Sequence, residues 1–314
     1  MKKLSFLIIF TLINCVIFSQ NSTKKMKSLL SDYEYKSKCT TIDGLEINYI
    51  KEGKGKTALL FLHGLSSNAD AWSKNIEELQ KKYTCIALDL PGFGKSTIES
   101  NKYTPSYFAE ISYKLIQKLK LKNVVLVGHS MGGQASIKLA LNYPNAIQKL
   151  ILIAPAGLET FKKENADFMK MTYTSGLVKM TTDDQIKKNY ALNFFKMPSE
   201  AVKMINDRIN IKKAANFDAH CTAIVKSVAG MLDEPVQSNL DKITQPTLVI
   251  FGLNDGLIPN KYFNPTLSVK DIGEIAKNKI KDVDVEFIEN CGHFAQFEKS
   301  KEVNNLIEDF VADK

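Results

Sequence analysis

The sequence predicts an α/β protein, with a mostly parallel central sheet flanked by helices and a helical insertion late in the chain. Three observations carry that expectation. Short apolar runs alternate with stretches of helical periodicity, one run feeds directly into a Gly-x-Ser-x-Gly, and the alternation stops between Pro155 and Pro246. At 314 residues and 44% hydrophobic content, the chain can bury one large core with an insertion.

The elements follow in order. Residues 42–51 alternate apolar and polar side chains around Asp43-Gly44, the pattern of a hairpin arm. Ala58-Leu59-Leu60-Phe61-Leu62 is a continuous apolar run suited to a strand buried on both faces, and it ends in His63-Gly64-Leu65. A helix carrying Trp72, Ile76 and Leu79 follows. Cys85-Ile86-Ala87-Leu88 repeats the buried-strand pattern and leads into the loop Asp89-Leu90-Pro91-Gly92-Phe93-Gly94-Lys95-Ser96. Thr104-Pro105 opens a helix, since proline suits a first turn. Val124-Val125-Leu126-Val127 then runs into Gly128-His129-Ser130-Met131-Gly132-Gly133 and a helical pattern, and Leu150-Ile151-Leu152-Ile153 is the next strand. Strands and helices in this alternation imply right-handed crossovers and parallel pairing.

Helical patterns over residues 161–173, 184–195, 199–211 and 218–231 fill the interval before Pro246, and six of the nine methionines fall there. Such an insertion suits a lid over an adaptable apolar pocket. Strands resume at Thr247-Leu248-Val249-Ile250-Phe251, ending in Gly252-Leu253-Asn254-Asp255. The last is Val283-Asp284-Val285-Glu286-Phe287-Ile288, ending in Cys291-Gly292-His293, before an amphipathic helix over 299–311. The expected organisation is a signal segment over 1–19, a linker over 20–40, a core over 41–155 and 238–314, and the insertion over 156–237.

Composition narrows the partners. The formal charge of +8 is scattered and almost entirely lysine, Arg208 being the sole arginine. Nucleic-acid readers use arginine forks and clustered basic stripes, so no nucleic-acid partner is expected. Lys2 and Lys3 precede an apolar run to Phe18 that is interrupted by Ser5, Thr11 and Asn14. This reads as an export signal cut near Ser19–Gln20, giving an exported protein without a stable membrane span; an uncleaved anchor is the alternative. Acylation at Cys15 is disfavoured by Asn14, which stands where a small residue is wanted. The other cysteines are scattered and lack metal-ligand spacing, so neither a disulfide framework nor a metal is expected.

Working residues of a parallel α/β sheet lie beyond the carboxyl ends of its strands. Those positions hold the Gly64-Leu65 loop, Ser130, Asp255 and His293. A serine hydroxyl needs a base within reach to act as nucleophile. His293 suits that role, and a carboxylate at Asp255 would fix its tautomer and stabilise the imidazolium. Of the other histidines, His63 is expected to prop its loop, His129 to point away from Ser130, and His220 to lie on a helix face. Asp233 is a rival acid and Asp89 precedes the Gly128-His129-Ser130-Met131-Gly132 elbow, the sharp turn from strand to helix. Backbone N–H groups of Leu65 and Met131 are the expected oxyanion donors.

These motifs, in this order, resemble those of α/β-hydrolase-fold serine hydrolases over residues 40–312. The carriers are Leu62-His63-Gly64-Leu65 with Trp72 downstream, Asp89-Leu90-Pro91-Gly92-Phe93-Gly94-Lys95-Ser96, Gly128-His129-Ser130-Met131-Gly132-Gly133, Gly252-Leu253-Asn254-Asp255 and Gly292-His293-Phe294. The elbow and the His-Gly-Leu loop are similar to those of monoacylglycerol lipases and carboxylesterases. The resemblance implies a cofactor-free hydrolase of esters with a small or medium apolar acyl group, acting through an acyl-enzyme on Ser130. Trp72, Met169, Phe194, Phe195 and Arg208 are expected to contact substrate. Two alternatives remain: a carbon–carbon hydrolase of ring-cleavage products, for which Arg208 would bind a substrate carboxylate, and a binding protein that has lost catalysis. Ser130 excludes the dehalogenase and epoxide hydrolase branches, which use a carboxylate nucleophile.

Overall fold

The computed structural model describes residues 23–100 and 102–312. The export segment read from residues 1–19 and the acylation question at Cys15 lie outside the described residues. One eight-stranded sheet, in the order β1-β2-β4-β3-β5-β6-β7-β8, organises the chain. A hairpin, β1 (Ser37–Ile42) and β2 (Leu45–Glu52), turns at Asp43-Gly44 and pairs antiparallel with β4 (Thr84–Leu88). From β4 onward every pairing is parallel: β3 (Ala58–Leu62), β5 (Val124–His129), β6 (Lys149–Ile153), β7 (Thr247–Gly252) and β8 (Val283–Ile288).

The apolar runs form strands covered on both faces, and period-two alternation sorts their side chains. Leu60, Leu62, Leu126, Leu150 and Leu152 enter the larger core, with α2 (Pro105–Lys118), α3 (Met131–Asn142) and α9 (Val269–Lys279). Leu59, Phe61, Val125, Val127, Ile151 and Ile153 enter the opposite core, beneath α1 (Ser73–Leu79) and α11 (Ser300–Ala312). Thr104 caps α2 with its side chain and Pro105 occupies the first turn, as the sequence leads one to expect. At the far edge, β8 alternates half-buried Val283, Val285 and Phe287 with exposed Asp284 and Glu286, charges that discourage further strand addition.

Between β6 and β7 lie α4 (Lys163–Thr172), α5 (Ser175–Met180), α6 (Asp183–Ala191), α7 (Ala201–Asn210) and α8 (Phe217–Asp233). Four of these fall where the periodicity puts helices; α5 is a short addition capped by Thr174. The four-residue α10 (Ala295–Glu298) immediately follows His293 and Phe294.

Residues 23–35, read from the sequence as linker, are packed. Met26 is buried, its N–H donates to Asn216 Oδ1 (2.8 Å), and Ser31 donates through N and Oγ to Asp207 Oδ1 (2.9 and 2.6 Å). Tyr33 donates to Asp89 Oδ2 (2.8 Å), so this strap touches both the insertion and the sheet. Among the described residues no helix is long and apolar enough to cross a membrane.

Trp72 corrects one expectation. It is 0% exposed, 4.9 Å from the Phe61 ring, in the core beneath α1 and α11 rather than beside substrate. A helix start packed onto β3 points the large ring at the sheet, away from the strand ends. As the sole tryptophan, it should report folding and be silent to ligand. Trp72→Ala is expected to lower the unfolding free energy by about 3–5 kcal/mol, measured by urea titration with circular dichroism.

Candidate active site

The turn that carries Ser130 is built by close approach. Ser130 adopts φ 53° and ψ −118° between β5 and α3. Its N–H donates to Ile153 O (3.0 Å), and its carbonyl accepts from Gln134 N (3.1 Å) and Ala156 N (3.0 Å). A Cβ at Gly128 would lie 2.3 Å from Ser136 Oγ, and one at Gly132 would lie 2.3 Å from Leu62 O. Gly128 therefore lets α3 fold back against β5, and Gly132 lets it begin against the end of β3, which brings the loop after β3 to Ser130. Met131 is the first residue of α3, where N–H groups have no intrahelical acceptor.

His63 orients the neighbouring loop. Its Nε2 accepts from Leu90 N (3.0 Å), so the proton sits on Nδ1, which donates to Gly64 O (2.7 Å). Gly64 C=O and Leu65 N–H share one trans peptide unit, and fixing the carbonyl turns the N–H the opposite way. Burial pushes His63 down to about 4, so it serves this loop as a neutral ring. Asp89 is fully buried and accepts from Ala69 N (2.7 Å), Lys95 N (2.7 Å), Tyr33 and Asn48 Nδ2 (2.8 Å). It ties together the loops after β3 and β4.

Asp255 and His293 arrive from β7 and β8. Asp255 Oδ1 accepts from Leu257 N (2.8 Å) and Ile258 N (2.9 Å), leaving Oδ2 to accept from His293 Nδ1 (2.7 Å). The paired side chains are almost entirely buried. Asp233, the rival acid, pairs at the surface with Lys170 (2.7 Å).

A cavity of about 730 Å³ lies over the strand ends, roofed by the insertion and lined by Gly64, Leu65, Ser130 and His293. Met169, Phe194 and Arg208 line it; Phe195 does not. Phe195 is 52% exposed, because the turn after α6 sends successive side chains to opposite sides. His129 is 1% exposed in the cavity wall, its ring packed edge-on to Phe294. Its Nε2 donates to the carbonyl of His293 (3.0 Å), and the two rings are 4.8 Å apart. Burial and the neighbouring His293 lower its pKa well below the ordinary value. His220 donates through Nδ1 to Gly92 O (2.9 Å) and packs edge-on to Phe93, away from the cavity.

Arg208 is 8% exposed, with Nη1 lacking a hydrogen-bond partner and Phe217 beneath its guanidinium at 5.4 Å. Its neighbour Asp207 is engaged by Ser31 instead. Glu159 lines the cavity too, a residue the sequence does not single out. It accepts from Asn260 N (2.9 Å) and Asn264 Nδ2 (2.7 Å), and burial raises its pKa. No grouping of metal-binding side chains occurs among the described residues.

The profile of the family described as alpha/beta hydrolase fold matches residues 57–300. The chain is 27% identical over 279 residues to 2-hydroxy-6-oxononadienedioate/2-hydroxy-6-oxononatrienedioate hydrolase 1 of Pseudomonas putida, covering 85% of this chain and 92% of that one. It is 27% identical over 271 residues to human monoacylglycerol lipase ABHD6, covering 82% and 76%. Similarity to the dihydrolipoyllysine-residue acetyltransferase component of the Cupriavidus necator acetoin cleaving system is 26% over 85% of this chain, which spans only 66% of that protein. Among solved structures, a probable hydrolytic enzyme from Pseudomonas aeruginosa PAO1 superposes with a TM-score of 0.81 at 21% identity, covering 94% of this chain and all of that one.

Buried neutral histidines give a pH signature. His63 and His220 are pushed down to about 4, whereas in the unfolded chain they titrate near 6.5. Between those values the unfolded state binds protons that the folded state does not, so stability falls as pH falls. The slope reaches about 1.4 kcal/mol per pH unit for each histidine. Urea midpoints should drop measurably from pH 7 to pH 5; a flat profile would contradict the assigned neutral rings.

Proposed function

The chain belongs to the alpha/beta hydrolase fold family, and on that premise we propose that it is a serine hydrolase of carboxylic esters with a small or medium apolar acyl group. The observation that carries this reading is the Asp255–His293 hydrogen bond of 2.7 Å, on a histidine that lines the same cavity as Ser130.

The proposed chemistry runs in two halves. Ser130 Oγ attacks the ester carbonyl carbon while His293 Nε2 takes the hydroxyl proton, and the carbonyl oxygen becomes an oxyanion facing the Leu65 and Met131 N–H groups. Collapse breaks the bond to the alkoxy oxygen, which leaves as alcohol with the proton from His293. Water then attacks the acyl-enzyme, His293 again taking and returning the proton, to release the acid and restore Ser130. Asp255 holds the Nδ1 proton throughout and stabilises the imidazolium. Apolar lining by Met169, Ile224, Val228 and Ile258 supports an acyl group of modest size.

A second reading rests on Arg208. A buried guanidinium with an unpartnered nitrogen favours a substrate bearing an anionic group, which the carbon–carbon hydrolase alternative would supply. The hydrolase named for Pseudomonas putida is consistent with that option.

Two measurements test these readings. A fluorophosphonate should label the wild-type chain and leave Ser130→Ala unlabelled, with p-nitrophenyl ester turnover falling by about 10³-fold or more; labelling that survives would remove Ser130 from the mechanism. Arg208→Leu should raise KM about tenfold for esters with a terminal carboxylate and leave neutral esters within twofold. Equal effects on both would deny Arg208 an anion-binding role.

A further inference from the structure

We propose that Glu298 is a positioning residue that couples the helical insertion to the seat of His293. This goes beyond wall-building by the insertion, and it rests on the reading of His293 as the base.

Glu298 ends α10, five residues after His293. Its Oε2 accepts from Gly292 N (2.8 Å), in the loop that carries the histidine, and from Phe195 N (3.1 Å), in the connection between α6 and α7. Its Oε1 accepts from Lys196 N (2.6 Å). One carboxylate thus bridges two segments about a hundred residues apart, through charge-assisted bonds to main-chain donors.

The same junction is drawn together a second way. Phe294 N–H donates to Asn193 O (2.9 Å), while His293 C=O accepts from His129 Nε2 (3.0 Å). That carbonyl and that N–H belong to a single peptide unit, so the peptide leaving His293 is gripped on one side by the nucleophile turn and on the other by the insertion. Contact is close enough that a Cβ at Gly292 would lie 2.6 Å from both Asn193 O and Phe194 Cα. Phe194, Phe294 and Phe297 pack with Ala71 and Ala201 beneath, a small apolar cluster separate from the two sheet cores. The seam is tied by directional bonds around a thin apolar contact. The imidazole reaches Asp255 from this loop, so a shift of residues 193–196 moves the base itself.

The coupling predicts an effect on substrates too small to touch the insertion. Glu298→Ala should cut kcat for p-nitrophenyl acetate about tenfold or more, and Glu298→Gln, which keeps one oxygen for the Gly292 and Phe195 donors, should recover most of it. In protein labelled with ¹⁵N-histidine, the low-field Nδ1–H resonance of His293 should be sharp in the wild type and in Glu298→Gln, and broadened or displaced in Glu298→Ala. Should Glu298→Ala not fold, Lys196→Pro removes the shorter of the insertion's two donor bonds from an exposed position and should broaden the same resonance. An unchanged resonance, with acetate turnover within twofold and only the KM of longer esters raised, would overturn the coupling and leave the insertion as a wall. If the wild-type chain turns over no ester, the ester reading fails, and the resonance alone decides the coupling.

Discussion

Ser130 is held at φ 53° and ψ −118°, a region that non-glycine residues occupy only under constraint, at a cost of about 1–3 kcal/mol. The constraint is visible on both sides of the residue. Its N–H is taken by β6 and its carbonyl by α3 and by the chain leaving β6, so three elements over-determine one backbone conformation. Gly128 and Gly132 make that possible, the first by letting α3 fold against β5 and the second by letting it touch the end of β3. The same closeness delivers the Gly64-Leu65 loop to the hydroxyl, and it seats His129 against the carbonyl of His293.

Around this turn, burial sorts the ionisable groups by job. His63, His129 and His220 are dry and stay neutral, each spending a ring N–H on a backbone carbonyl. His293 alone gives its Nδ1 proton to a carboxylate. Asp89 and Glu159 are buried carboxylates that satisfy loop donors, one beside the loop after β3 and the other beside the loop after Asp255. Arg208 is the exception, a buried cation whose adjacent acid is turned to the N-terminal strap. A group in that state is costly unless something arrives to pair with it.

How far the sequence foretold this depends on the range of the interactions. The strands from 58 to 62, 124 to 129 and 247 to 252 were legible because two-sided burial needs uninterrupted apolar residues, and parallel topology then puts Ser130, Asp255 and His293 at one end of the sheet. What local pattern could not carry was the facing of side chains across packed surfaces. Trp72 belongs to the core and Phe195 to the surface, while Phe194, one residue earlier, faces the cavity. His129 adjoins Ser130, and its ring is fixed by the carbonyl of His293 and the ring of Phe294, partners far along the chain. Glu159 has no neighbouring motif to mark it, because its partner Asn260 lies about a hundred residues away, and although Glu298 follows the Gly292-His293-Phe294 motif, its bonds to Phe195 and Lys196 span a similar distance. The short α5 and the packed strap over residues 23–35 were hidden likewise, being fixed by contacts with distant elements rather than by their own periodicity.

The central claim is that Ser130 carries the acyl group between two half-reactions. Rapid mixing with a p-nitrophenyl ester of a short acyl chain, quenched in acid and mapped by peptide mass, tests it most directly. The account predicts a burst of p-nitrophenol of about one equivalent when deacylation is slower than acylation, with the acyl mass on the peptide containing Ser130. Steady turnover with the acyl mass on another residue would contradict it.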